Sequence, residues 1–163
     1  MRECMEIRIL SVGKIKEKYL RDGIAEYSKR LSKYCRLSFE QVPDEKTPDG
    51  VSGAERLLIL QTEGERLLRL VRDRDFCIAL AIEGSCLTSE AFAQKMDQLA
   101  LSGISYIDFI IGGSLGLSSG VMQRADLALS FSRFTFPHQL MQLILLEQIY
   151  RSFRISRHEP YHK

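Results

Sequence analysis

Two short stretches of this chain hold residues whose types and spacing can do chemistry. The first is Ile111-Gly112-Gly113-Ser114-Leu115-Gly116-Leu117, a glycine cluster closing an apolar run. Glycines at such a place let backbone come close to a ligand, or take positive φ at a tight turn. Their spacing is not G-x-G-x-x-G and no Lys-Ser/Thr follows, so there is no dinucleotide fingerprint and no P-loop. On spacing alone, a bare turn and a ligand site are equally good readings. The second stretch is Phe131-Ser132-Arg133-Phe134-Thr135-Phe136-Pro137-His138. Phe131, Phe134 and Phe136 beside exposed backbone would make a pocket for a flat ring such as adenine, with Ser132 and Thr135 as polar handles. They would equally plug the end of a core. His138 falls in the first turn of the next helix, where capping or a polar core contact is the ordinary role.

Both stretches sit where the surrounding pattern puts the C-terminal ends of strands. In open α/β sheets ligands bind at that edge. Glu6 to Val12 alternates and ends at Gly13, so it predicts a first strand. Lys14 to Lys18 follows as a basic loop, either a phosphate contact or a solvated helix entry. Tyr19 to Tyr34 carries Leu20, Ile24, Tyr27, Leu31 and Tyr34 at helical spacing. Leu37 to Val42 predicts a second strand, and Pro43 to Gly53 a mobile surface loop. Ala54 to Val71 predicts a helix weakened by Gly64. Asp75 to Ile82 is a near-continuous apolar run, the mark of a strand buried on both faces, with Glu83-Gly84-Ser85 as its turn. Thr88 or Ser89 caps the next helix, Gly103 ends it, and Ile104 to Ile111 is a fourth strand. Leu127 to Phe131 is a fifth. Leu140 to Ile155 is a long helix that is apolar on two sides. One side suits its own sheet; the second predicts a homodimer interface. The alternation of strands and helices over residues 1–163 predicts one three-layer α/β domain, with a largely parallel sheet and helices on both faces.

Net charge is only +2, but it is segregated. Residues 1–36 carry ten Lys/Arg against five Asp/Glu, residues 37–150 nine against fifteen, and residues 151–163 four against one. A polyanionic partner met by the ends of the chain fits this pattern, as do ordinary solvated helix faces. No apolar run approaches the roughly 20 residues that span a bilayer, and the first residues do not read as a signal peptide, so a soluble cytoplasmic protein is expected. Cys4, Cys35, Cys77 and Cys86 form no CxxC motif, Cys35 and Cys77 read as core thiols, and no His/Cys/Asp cluster has metal-ligand spacing. Residues 1–4 read as an extension ahead of the first strand.

Several segments together carry a family resemblance. They are IGGSLGL (Ile111–Leu117), LSFSRFTFPHQL (Leu129–Leu140), LLEQIYRSFRI (Leu145–Ile155) and the terminal EPYHK (Glu159–Lys163). SVGKIKEKYL (Ser11–Leu20), VPDEK (Val42–Lys46) and EGER (Glu63–Arg66) add to them. The chain resembles the RlmH type of SPOUT RNA methyltransferase over nearly its whole length. The resemblance implies an α/β fold with a trefoil knot in its C-terminal part and S-adenosylmethionine as cofactor. By motif, the implied cofactor contacts are Leu80, Gly112, Phe131, Ser132, Arg133, Phe134, Thr135 and Phe136. It implies N3 methylation of a pseudouridine in 23S ribosomal RNA on the assembled ribosome, by a homodimer in which one subunit's basic tail completes the other's site. Residues 1–4 precede the usual start, and His158 stands where glycine is common.

Methyl transfer from a sulfonium needs an in-line nucleophile, and a pseudouridine N3 carries a proton that a base or an anion stabiliser helps to remove. The candidates are Arg154 as the stabilising cation and Tyr161 or His162 as base or orienter, with His138 as a weaker one. Two rival functions are a methyltransferase acting on another RNA such as tRNA, and a ribosome-binding factor that kept the pocket without the chemistry.

Overall fold

The computed structural model describes residues 4–163. The sequence reading of residues 1–4 therefore lies outside the described residues for positions 1–3. The elements are β1 (Glu6–Val12), α1 (Lys18–Leu31), β2 (Arg36–Val42), α2 (Gly53–Leu68), β3 (Phe76–Cys86), α3 (Ser89–Leu101), β4 (Tyr106–Ile111), α4 (Ser119–Arg124), β5 (Leu127–Ser130) and α5 (His138–Ser156). The five strands form one sheet in the order β2-β1-β4-β3-β5, and every neighbouring pair is parallel.

Strand alternation builds the three layers. In β1, Ile7 and Ile9 face the core shared with α1, α3 and α5. Leu10 and Val12 face the other side, where Leu67 of α2 and Val121 of α4 cover them. The β4 strand repeats this, with Ile107, Phe109 and Ile111 on the first face and Ile110 on the second. Both faces of the central strands are thus dry, as parallel sheets require.

Local chemistry sets the helix starts. Ser52 and Glu55 form a reciprocal capping box at α2, Thr88 accepts from the Ala91 N–H at α3, and Ser118 does the same for Val121 at α4. The α5 helix differs: Pro137 occupies its cap position and no side chain caps it. His138 therefore does not serve as a cap. The α1 and α3 helices both pack along α5. They help bury Leu145, Leu146, Ile149 and Tyr150, while Leu140, Met141, Leu143, Ile144 and Phe153 stay only half-buried.

One expected boundary is wrong. Glu83-Gly84-Ser85 is not a turn, because β3 runs on to Cys86 with a register shift: Leu80 and Ser85 both pair with Leu129. Residues between them bulge out, which leaves Ile82 54% exposed. Gly84 lies so close to β5 that a Cβ there would stand 2.7 Å from the Ala128 carbonyl carbon.

The sheet also contains a buried ionic cluster. Arg8 and Asp108 are register partners on β1 and β4. Arg8 donates to both Asp108 oxygens at 2.8 Å and to Asp75 at 2.9 Å. Arg72 joins Asp75 to Glu6. Burial pushes the Asp108 carboxyl up to about 6, against the pull of Arg8. Burial also pushes on Asp75, but bonds from Arg72 outweigh it and hold that carboxyl below its usual range.

Candidate cofactor cleft and the tail

At the C-terminal edge of the sheet a cleft of about 310 Å³ opens between the end of β3, the loop after β4 and the loop after β5. Its first wall is the glycine loop. A Cβ on Gly112 would lie 2.2 Å from the Gly116 carbonyl oxygen, so only glycine fits where the chain turns back on itself. Gly116 takes φ +88°, and its N–H donates to the Gly113 carbonyl at 3.1 Å. The loop is a rigid turn that presents bare backbone to the cleft.

The opposite wall starts where β5 stops, at Ser130. The Ser130 hydroxyl donates to the Ser132 carbonyl at 3.0 Å, and the Phe134 N–H donates to the Ser132 hydroxyl at 2.9 Å. Ser132 is thus a turn former whose acceptor is already used. Leu80, Phe131, Phe136 and Met141 supply apolar surface, and His138 borders the same space. Burial, with the Lys16 charge nearby, lowers the His138 pKa, while Asp44 works against them; the imidazole is neutral at neutral pH.

Of the eight residues expected at a cofactor, Leu80, Gly112, Phe131, Ser132, Phe134, Thr135 and Phe136 line this one cleft. Arg133 does not; it is exposed on the outer side of its loop. Phe134 is 77% exposed, so it stands at the mouth and not in a wall. The expected pocket of three phenylalanines is a wall of two with a third at the rim.

Arg154, Tyr161 and His162 lie elsewhere. The α5 helix starts at the cleft, and sixteen residues of helix put Arg154 about 24 Å from His138. Its guanidinium bonds Glu159, the Tyr34 hydroxyl and, at 2.8 Å, the Pro160 carbonyl. The Tyr161 hydroxyl donates to Glu147 at 3.1 Å and meets the Tyr27 hydroxyl at 3.3 Å. Burial and these two partners push its pKa up, so it is a neutral donor and a poor base. His162 reaches Glu90 through Nε2 at 2.8 Å and Arg151 through Nδ1 at 3.1 Å. Only Arg154 marks the far end of α5: the tail folds back along the helix, setting Tyr161 beside Glu147 and Tyr150 and His162 beside Arg151 and Glu90. None of the three lines the cleft of its own chain.

Residues 5–162 match the family profile described as "Predicted SPOUT methyltransferase". The chain belongs to the SPOUT methyltransferase family. Relatives called ribosomal RNA large subunit methyltransferase H share much of this SPOUT sequence. Those of Bifidobacterium adolescentis and an Exiguobacterium species are each 58% identical over 98% of this chain and 100% of theirs. One from Streptococcus pneumoniae is 54% identical over the same shares. Two solved structures are similar in fold alone. A probable methyltransferase from Bordetella pertussis has a TM-score of 0.55 at 12% identity, covering 91% of this chain and 96% of that one. A probable methylase family protein from Haemophilus influenzae has a TM-score of 0.52 at 12% identity, covering 100% and 72%.

Sequence reasoning missed one residue that supports the SPOUT cleft. Glu63 is only 4% exposed, and its Oε2 accepts from the Glu45 N–H at 3.0 Å. Its Oε1 lies 3.3 Å from where a Cβ on Gly113 would stand. Burial pushes this carboxyl up. It braces the underside of the glycine loop. The signal was present: Glu63 sits four residues before the buried Leu67, on the buried stripe of α2.

Proposed function

We propose that the chain is an S-adenosylmethionine-dependent methyltransferase that modifies 23S ribosomal RNA at N3 of a pseudouridine, on the assembled ribosome. One observation carries this: a cleft walled by side-chain-free backbone lies in a chain 58% identical, over 98% of its length, to relatives called ribosomal RNA large subunit methyltransferase H. The fit to the cofactor is chemical. Apolar faces at Leu80, Phe131 and Phe136 suit an adenine ring, and the bare edge at Gly112 lets backbone groups bond it. Ser132, Phe134 and Thr135 close that side, with Arg133 contributing backbone. When bound, S-adenosylmethionine supplies a methyl group made electrophilic by its sulfonium. In this reading the two cleft loops belong to a trefoil knot, and one domain carries the whole activity.

The tail supplies the remaining groups in trans. In this reading a second copy brings the tail to the reaction, since none of Arg154, Tyr161 and His162 lines the cleft of its own chain. That supports a homodimer, alongside the half-buried apolar residues Leu140, Leu143 and Ile144 of α5. Arg154 fixes the tail through Glu159 and Pro160 and adds positive charge behind it. Tyr161, held as a neutral phenol, orients the nucleotide by turning its one O–H from Glu147 to the substrate. His162 accepts the N3 proton as the base once its Nδ1 is released from Arg151.

The test is direct. Calorimetric titration with S-adenosylmethionine is expected to show one site per chain. Incubation with ribosomes from a strain lacking the gene is expected to add one methyl group at a 23S rRNA pseudouridine, read by mass mapping. Binding without methylation would leave a ribosome-binding factor; methylation of tRNA would move the substrate.

A further inference from the structure

A second groove, of about 360 Å³, lies beside the cleft between the β1–α1 loop, β2 and α5. Gln142 projects into it. That side chain is 2% exposed, yet its amide makes no hydrogen bond with the described residues. A buried amide left open to a groove is a donor and an acceptor in need of a partner. Phe39, half-buried on the edge strand β2, and Ile15 offer apolar surface in the same groove.

The rim is cationic. From Lys14 to Arg21 the chain carries four cations and one acid, Glu17. Lys18 is paired with Asp22 at 2.6 Å, and Asp44 lies against Gly13. Arg21 turns inward and donates to the Ile15 and Lys16 carbonyls, which holds the loop in shape and leaves Lys14 and Lys16 exposed. The Lys16 N–H donates to the Gln139 side chain at 3.0 Å. That bond ties the basic loop to the first turn of α5, one residue from His138 at the cleft. Groove and cleft therefore share a wall.

Given the function proposed above, we infer that this groove holds an unpaired nucleotide of the RNA substrate next to the target. The base lies against Phe39 with its edge on the Gln142 amide, and a phosphate sits by Lys14 and Lys16. Apolar surface, an amide and point cations are the three contacts by which proteins hold single-stranded RNA. A second copy of this chain is the poorer occupant, because its tail carries four cations against one acid and the rim would repel it.

The experiment uses the full-length protein and ribosomes lacking the modification. A Lys14→Gln/Lys16→Gln double variant and a Gln142→Met variant are compared with wild type. Cofactor affinity and oligomeric mass are expected to stay unchanged, while KM for ribosomes rises at least fivefold in each. The log–log salt slope of RNA binding is expected to fall by about 0.7 per lost phosphate contact in the lysine variant and to hold in Gln142→Met. Ultraviolet cross-linking to RNA is expected to label a peptide within residues 14–41. Unchanged KM and slope, or cross-links only elsewhere, would overturn the inference. A changed oligomeric mass would give the groove to a second copy and overturn it equally. Failure of the functional reading shows separately, as a wild-type protein that neither binds cofactor nor methylates.

Discussion

Gly112→Ala is the sharpest test of how the cleft is built. The new Cβ would meet the Gly116 carbonyl oxygen at 2.2 Å and its carbon at 2.5 Å. Both are backbone atoms, so no side chain can swing aside. Ordinary contact needs about 3.4 Å or more, so the turn at 113–116 must move by about 1 Å. That movement strains the Gly116 to Gly113 hydrogen bond, which contributes about 1 kcal/mol. Overpacking adds about 1–3 kcal/mol. At about 2–4 °C per kcal/mol for a chain of this size, the melting temperature should fall by roughly 5–15 °C. Displacing the wall by that much should also cost about 100-fold in the reaction. In wild type, S-adenosylmethionine at a hundred times its Kd should add about 2.7 kcal/mol of stability; in the variant that increment should vanish. Gly120→Ala is the control. Its Cβ would meet Leu68 at a comfortable 3.6 Å inside α4, so it should be neutral or stabilise by up to about 1 kcal/mol. Thermal unfolding with and without cofactor reads both. A Gly112→Ala protein that binds cofactor like wild type would refute the idea that bare backbone at 112 forms the site.

Asp108 gives a pH signature. Its folded pKa, near 6, is above the value of 3.8 for a free carboxyl, so the folded state holds more protons between those limits. Stability from this group therefore rises as pH falls through 6 towards 4, and wild type should gain on Asp108→Asn by chemical denaturation over that range. Removing residues 159–163 should leave cofactor binding intact in calorimetry and abolish methylation of ribosomes. Tyr161→Phe should lower kcat at least tenfold and leave its pH profile unmoved, because a neutral phenol that only orients contributes no titration.

The layered fold was legible because periodicity and burial agree in most elements. Alternation in Ile7, Ile9, Leu10 and Val12 assigns both faces of β1, and the continuous run at Cys77–Ala79 marks a strand covered on two sides. What escaped was set by backbone contacts between distant segments. The Glu83-Gly84-Ser85 stretch has turn chemistry, yet it pairs with β5, because β5 fits alongside only if Gly84 lacks a side chain. Gly64 read as a weak point in its helix; in fact a Cβ there would stand 2.1 Å from the Ser118 hydroxyl that caps α4. Arg8 and Asp108 each stand among apolar neighbours in their strands, and only their shared register pairs them. The two cleft stretches were visible as chemistry, but their meeting at one edge depends on β3 lying between β4 and β5.

The placement of the tail bears on which assembly completes the proposed site. Within one chain the cluster of Arg154, Tyr161 and His162 is locked by Glu159, Glu147 and Glu90 against α3 and α5. Those bonds would have to break for the tail to serve its own cleft, since none of the three side chains lines it. In the proposed dimer the tail of a second copy reaches the cleft instead. Mixing a cleft-dead Gly112→Ala protomer with a protomer lacking residues 159–163 should therefore restore methylation that neither has alone. The mixed dimer owns one complete pair: the cleft of the truncated chain and the tail of the substituted one. If only dimers form and subunits exchange freely, half of the molecules are mixed, each with one of its two sites intact. Activity should then recover to about one quarter of the wild-type rate per chain. No recovery in a mixture shown by mass to contain the mixed dimer would mean that the tail works in its own chain, and the geometry above would have to give way.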